Sequence, residues 1–180
     1  MKTVAVLFTH PRSHYLELPE CDFWPATRDA RNYRGPLPVI AHPPCRMWSR
    51  ARRRGLPLNS EEMALGPWAV EMVRTFGGVL EHPFCSRLWP HLHLPKPGHS
   101  DAWGFTVQID QSWFGHASEK ATWLYVCGVE PETLPPVTVR LGRRLVNFNL
   151  LGRAARQLTP PELCRYLVRV ASIAEDSTPF

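Results

Sequence analysis

The apolar positions come in short runs separated by turn residues, with one long stretch at helical spacing. Residues 3 to 8 (Thr-Val-Ala-Val-Leu-Phe) predict a strand, and Cys21 to Trp24 a second, shorter one. Pro38-Val39-Ile40-Ala41 predicts a buried strand that ends at Pro43-Pro44, because neither proline donates a backbone hydrogen bond and each fixes φ. Ser60 to Phe76 predicts a helix: Asn59 or Ser60 caps it, Glu61-Glu62 suit its first turn, and Met63, Ala64 or Leu65, Trp68, Met72 and Val73 recur near helical spacing. Pro67 inside that stretch predicts a kink or a late start. Gly77-Gly78 ends the helix and Val79-Leu80 opens a strand. Further strands are expected around Thr106 to Ile109 and over Thr122 to Cys127. A last helix is expected from about Pro160 to Ala174, with Thr159 as cap and Pro160 in the first turn. Strand, helix, glycine, strand is a βαβ unit, so the expected fold is a single compact α/β domain with a mainly parallel sheet.

Composition agrees with one domain: the chain has 180 residues, 44% of them hydrophobic, enough for a real core. The apolar start is too short for a signal peptide, and no stretch approaches the roughly 20 apolar residues of a membrane span. Cysteines 21, 45, 85, 127 and 164 are widely spaced with no Cys-x-x-Cys, which points away from a disulfide framework or zinc knuckle. A reducing, cytoplasmic setting is therefore expected. The net charge is +5, and arginine supplies most of the excess. One cluster comprises Arg46, Arg50, Arg52, Arg53 and Arg54, and another Arg140, Arg143, Arg144, Arg153 and Arg156. Guanidinium forks suit phosphate, so DNA is the expected partner.

The candidate chemistry lies at strand ends. Cys45 follows the Pro43-Pro44 turn, beside Arg46 and near His42, where cations are expected to favour the thiolate. Glu81 and His82 end the next strand. In open α/β sheets the binding crevice lies beyond the carboxyl ends of the strands, so Cys45 and Glu81 are expected at one site. His91, His93 and His99 lie in a proline-rich loop without a nearby carboxylate set, and no metal site is read there. A zinc deaminase would need His-x-Glu followed by Pro-Cys-x-x-Cys. Here Trp48 stands where the second cysteine belongs, and no His-x-Glu precedes it. Trp48, Trp89, Trp103, Trp113 and Trp123 sit in or beside loops, where rings can stack a planar base.

Four segments occur in a telling order: Pro43-Pro44-Cys45; Val79-Leu80-Glu81-His82-Pro83; Asp110 to Thr122; and Arg156-Gln157-Leu158-Thr159-Pro160-Pro161-Glu162-Leu163. Together they resemble the DNA cytosine 5-methyltransferase family. The resemblance implies a Rossmann-like methyltransferase-type domain acting on a pyrimidine base. By it, Cys45 attacks carbon 6 of the base and Glu81 assists at the ring nitrogen, so that a group can be transferred to carbon 5. Lys120 stands where the family has its first arginine, Thr122 replaces the second, Ser118 a glutamine, and His82 the asparagine after the glutamate. His42, Arg46, Ser49, Arg50, His82, Ser118 and Thr122 are the expected substrate- or DNA-binding residues. The family's cofactor is S-adenosylmethionine, held on a glycine-rich turn after the first strand. Here that strand runs into Thr9-His10-Pro11-Arg12-Ser13 with no glycine, leaving Asp22 and Asp29 as the acidic residues to hold the cofactor. The chain is read as a reduced relative, of the sort found among phage genes. Two other readings stay open: an enzyme on free pyrimidine nucleotides, as in thymidylate synthases, and a non-catalytic relative that binds DNA, a partner protein or itself.

Overall fold

In the computed structural model, residues 1–50, 57–137, 139 and 145–175 are described. The apolar runs form six strands: β1 (Val4–Thr9), β2 (Cys21–Pro25), β3 (Val39–Ala41), β4 (Gly78–Pro83), β5 (Gly104–Asp110) and β6 (Ala121–Cys127). They make one open sheet in the order β2-β1-β3-β4-β6-β5. The first three ladders are parallel and the two involving β6 are antiparallel. The sheet is thus mixed α/β, and its parallel character stops at β4. The chain winds from β1 outward to β2, then returns past β1 to β3. In open α/β sheets such a reversal is where a binding crevice is expected, here at the carboxyl ends of β1 and β3.

Alternation along the strands gives the sheet two apolar faces. Val4, Val6, Ile40, Val79, Leu124 and Val126 face one side, where they pack with Leu163, Leu167, Val170 and Ala171 of the last helix. Ala5, Leu7, Val39, Ala41, Leu80 and Tyr125 face the other, where Ala69, Val70 and Val73 of the helix Ser60–Phe76 cover them. We label these helices α1 (Ser60–Phe76) and α2 (Pro161–Glu175).

α1 has the expected bounds, and Asn59 caps it by accepting from Glu62 N–H at 3.0 Å. Its buried face is not the large-residue stripe expected from the sequence. Gly66, Ala69, Val70 and Val73 are buried, while Met63, Trp68 and Met72 pack at the margin. Small residues let the helix lie close to its neighbours: a Cβ on Gly66 would sit 2.7 Å from Trp48 Nε1 and 2.9 Å from Leu88 Cδ1. Pro67 neither delays nor ends the helix. It has no N–H for the Met63 carbonyl, and Trp48 Nε1–H donates to that carbonyl instead, at 3.2 Å. The expected late start is absent, and a side chain from the Cys45 turn replaces the missing bond. α2 starts one residue later than expected, with Cys164 N–H donating to Pro160 O at 3.0 Å.

β4 begins at Gly78, with φ of +110°, where a Cβ would lie 2.1 Å from Val39 O. Only glycine lets β4 approach β3 this closely. No helix among the described residues is long and apolar enough to cross a membrane.

The Trp48–Met63 bond has a measurable signature. Trp48→Phe orphans a carbonyl and is expected to cost about 1–3 kcal/mol in urea unfolding. Pro67→Ala restores the helix's own donor, so the Trp48→Phe cost should shrink in that background. Equal costs in both backgrounds would count against this role for Trp48.

Candidate active site

The residues singled out around the Cys45 turn and the end of β4 converge on the carboxyl edge of β1, β3 and β4. After β3, the chain turns at Pro43-Pro44, and Cys45 O accepts from Trp48 N–H and Ser49 N–H at 3.0 and 2.7 Å. Met47 and Trp48 are buried and anchor this turn, leaving Cys45 exposed. Glu81 lies next door on β4, its side chain 12% exposed. Lys120 sits just before β6, whose first residues pair with the end of β4. The Glu81 carboxylate and the Lys120 ammonium both act on the Cys45 thiol. Three segments far apart in sequence therefore bring a thiol, a carboxylate and an ammonium within electrostatic reach.

The thiol is not activated as the sequence suggested. The surrounding protein and then Glu81 raise its pKa, and the Lys120 ammonium only partly opposes them. Arg46 does not offset this, because its guanidinium pairs with Glu62, Nε donating to Oε1 at 3.2 Å. At rest Cys45 is a neutral thiol.

Glu81 is the hub of a hydrogen-bonded chain. His42 Nδ1 lies 3.0 Å from Oε2, and Gln111 Nε2–H donates to Oε1 at 2.9 Å. The other His42 nitrogen, Nε2, lies 3.0 Å from the hydroxyl of Tyr15, which is 1% exposed. Gln111 also donates to Thr122 Oγ1 at 3.0 Å, and Thr122 Oγ1–H donates to Lys120 O at 3.1 Å. Burial alone pushes the Glu81 carboxyl up. The hydrogen bond and charge of His42, aided by Lys120, outweigh it and hold the pKa at about 2. Glu81 is a carboxylate, so His42 Nδ1–H donates to it. Burial raises the Tyr15 phenol well above its ordinary value, so it stays protonated.

The remaining expected residues fall into three groups. Thr122 and Ser118 are buried and serve the frame: Thr122 through Gln111, Ser118 through its hydroxyl at 3.2 Å from His116 Nδ1. Ser49 is partly buried and Arg50 exposed beside the turn, while Arg52, Arg53, Arg54, Arg140, Arg143 and Arg144 lie outside the described residues. His82 points to the opposite face from Glu81, fully buried, its ring centroid 6.3 Å from that of Trp89 and both ring nitrogens without a hydrogen-bond partner among the described residues. Among the tryptophans, Trp48 and Trp89 are core residues, Trp103 is 53% exposed, and the exposed Phe84 stands at the end of β4, edge-on to Trp123.

Asp22 and Asp29 are engaged locally. Asp22 accepts from Arg28 Nη1 at 2.6 Å and Trp24 Nε1 at 2.9 Å, and Asp29 is held by Arg31 at 2.8 Å. At the end of β1 the turn conformation falls on Phe8, with φ of +61°, rather than on a glycine. One four-residue 3-10 turn (His14–Glu17) follows, not a full helix. These residues do not fit S-adenosylmethionine held in the manner the resemblance implies.

Sequence reasoning missed Tyr15 and Gln111. Gln111 had a signal: it directly follows a strand, at the end where ligands gather. Tyr15 had none, since its partner is 27 residues away. No protein-family model matches the chain, and a comparison with curated proteins finds no significant match.

The orphaned His82 makes stability pH-dependent. Burial pushes its pKa down to about 4, against the pull of Glu81. The unfolded chain therefore binds a proton that the folded one refuses, and stability falls as pH drops from about 6.5 to 4. The lost increment is roughly 3 kcal/mol. His82→Phe should flatten that part of the curve in denaturant titrations from pH 7 to 5. An unchanged slope would show that His82 is not its source.

Proposed function

We propose that the protein is a pyrimidine-base-modifying enzyme of the DNA cytosine 5-methyltransferase type, built on a reduced Rossmann-like domain. The observation that carries this reading is the convergence of Cys45, Glu81 and Lys120 at the carboxyl edge of β3 and β4. The thiol is exposed, the carboxylate sits beside it where the reversal of the chain makes a crevice expected, and an ammonium acts on both.

In this reading Cys45 sulfur adds to carbon 6 of the base. The ring electrons shift toward the neighbouring nitrogen, and carbon 5 becomes nucleophilic. Glu81 faces the ring nitrogen and the exocyclic group. Lys120 stabilises the negative charge that leaves sulfur. Phe84, exposed at the same strand end, offers a face for stacking. Arg50, exposed beside the Cys45 turn, supplies a phosphate contact, which favours a base within DNA as substrate. The group that reaches carbon 5 comes from a donor other than S-adenosylmethionine bound in the family's way, because Asp22, Asp29 and Phe8 do not form that site.

The test is covalent capture. An oligonucleotide carrying 5-azacytosine has a more electrophilic carbon 6, and should yield a denaturation-resistant adduct by intact mass. Cys45→Ser should abolish it, and Glu81→Gln should slow it by about a hundredfold. Absence of adduct with the wild-type protein would overturn the reading. Nucleoside mass spectrometry on DNA from expressing cells would then identify the transferred group by its mass increment.

A further inference from the structure

The proposed chemistry needs a proton at the base just as sulfur attacks, yet Glu81 at rest has none to give. The chain of hydrogen bonds behind it supplies an answer. His42 bridges two groups of different character, a carboxylate at Nδ1 and a phenol at Nε2, both at 3.0 Å. A phenol serves the imidazole in either charge state. It donates to Nε2 when the ring is neutral, and its oxygen accepts from Nε2–H when the ring is charged. In the charged state the phenol proton needs another acceptor, and Cys164 of α2 is a neighbouring group that acts on Tyr15. His42 can thus take up or release a proton without losing a hydrogen bond. Its side chain is 14% exposed. Its ring lies between Glu81 and Tyr15, its centroid 5.5 Å from that of Tyr15.

We propose that His42 is a positioning residue that stores the proton Glu81 delivers to the base, and that Tyr15 holds the imidazole in register for both charge states. This rests on the reading of Glu81 as the group that faces the base. The step balances. The Cys45 S–H bond breaks and its proton passes to the His42–Glu81 pair. The sulfur electron pair forms the bond to carbon 6. The ring electrons collect on the nitrogen next to the exocyclic group, and the stored proton bonds there. The net change is addition of S–H across carbon 6 and that nitrogen, with no further reactant. The pair returns to its starting state.

The groups acting on this relay come from every side. Glu81 faces His42 from β4 and Tyr15 from the 3-10 turn after β1. His82 acts from the other face of β4, while Lys120 and Cys45 act on Glu81. Cys164 of α2 and Cys21 of β2 face Tyr15. Of these, only His42 is bonded directly to both Glu81 and Tyr15.

The experiment follows the rate of adduct formation on the 5-azacytosine oligonucleotide. His42→Gln keeps a donor for Glu81 but cannot store a proton, and should lower the rate by about a hundredfold. Tyr15→Phe should lower the rate about fivefold. An unchanged rate in His42→Gln would overturn the relay. A second readout needs no substrate: the Glu81 carboxyl signal in glutamate-labelled protein by carbon NMR. In the wild type it should stay ionised down toward its pKa of about 2, and in His42→Gln it should protonate at a clearly higher pH. If the wild-type protein forms no adduct, the base-modifying reading falls. The relay then falls too only if the Glu81 titration is the same with and without His42.

Discussion

A carboxylate kept almost out of water is the constraint on which this edge of the molecule depends. Glu81 stands near the end of a central strand, where burial penalises its charge. The charge survives because two side chains donate to it, one from beyond β3 and one from the end of β5. The bonds do more than satisfy oxygen atoms. They tie the parallel half of the sheet to its antiparallel half at the level of the crevice. Gln111 is bonded at once to Glu81 of β4 and Thr122 of β6, so the position of β5 is registered against the carboxylate. Loss of any one donor would leave a buried charge short of a partner, which costs more than the bond itself contributes.

Much of the fold was legible because its signals are local. The helix at 60–76 announces itself through a cap, an acidic first turn and a glycine stop, and these are properties of neighbouring residues. The adjacency of Cys45 and Glu81 was legible for a similar reason: a strand, a helix and a strand in succession place consecutive strand ends side by side. The antiparallel placement of β6 between β4 and β5 was not legible, because strand order is decided by pairing between distant segments. The same holds for Pro67. Local rules read it as a kink or a late start, and the bond that compensates comes from a tryptophan of another segment, seated on the Met63 carbonyl.

The candidate site divides along the same line. Cys45, Glu81 and Lys120 were visible as residue types in an ordered set of motifs. Tyr15 and Gln111 were not, because each matters only through what it touches. The charge on the thiol was misjudged by proximity in sequence: Arg46 is adjacent to Cys45 in the chain but turns to Glu62 of α1. His82, beside Glu81 in sequence, is on the opposite face of the sheet because successive strand residues alternate. One residue of separation thus divides a histidine whose ring nitrogens have no partner among the described residues from a carboxylate that holds the site together.

The resting protonation pattern is the reverse of what attack requires. A neutral thiol faces an ionised carboxylate, whereas sulfur must attack as thiolate and the base must receive a proton. Direct transfer from the thiol to a carboxyl held near 2 would be steeply uphill, because each unit of pKa difference costs about 1.4 kcal/mol. In the proposed relay a bound base offsets that climb, since a ring nitrogen gaining electrons as sulfur adds becomes a strong acceptor at the moment the proton is needed. On the proposed reading the site stays quiet without substrate, because its thiol is neutral and its acid ionised, and becomes reactive when a ring bridges the two. That behaviour follows from the arrangement of His42 between Glu81 and Tyr15, and it suits an exposed cysteine in a protein whose other buried thiols are kept protonated by burial.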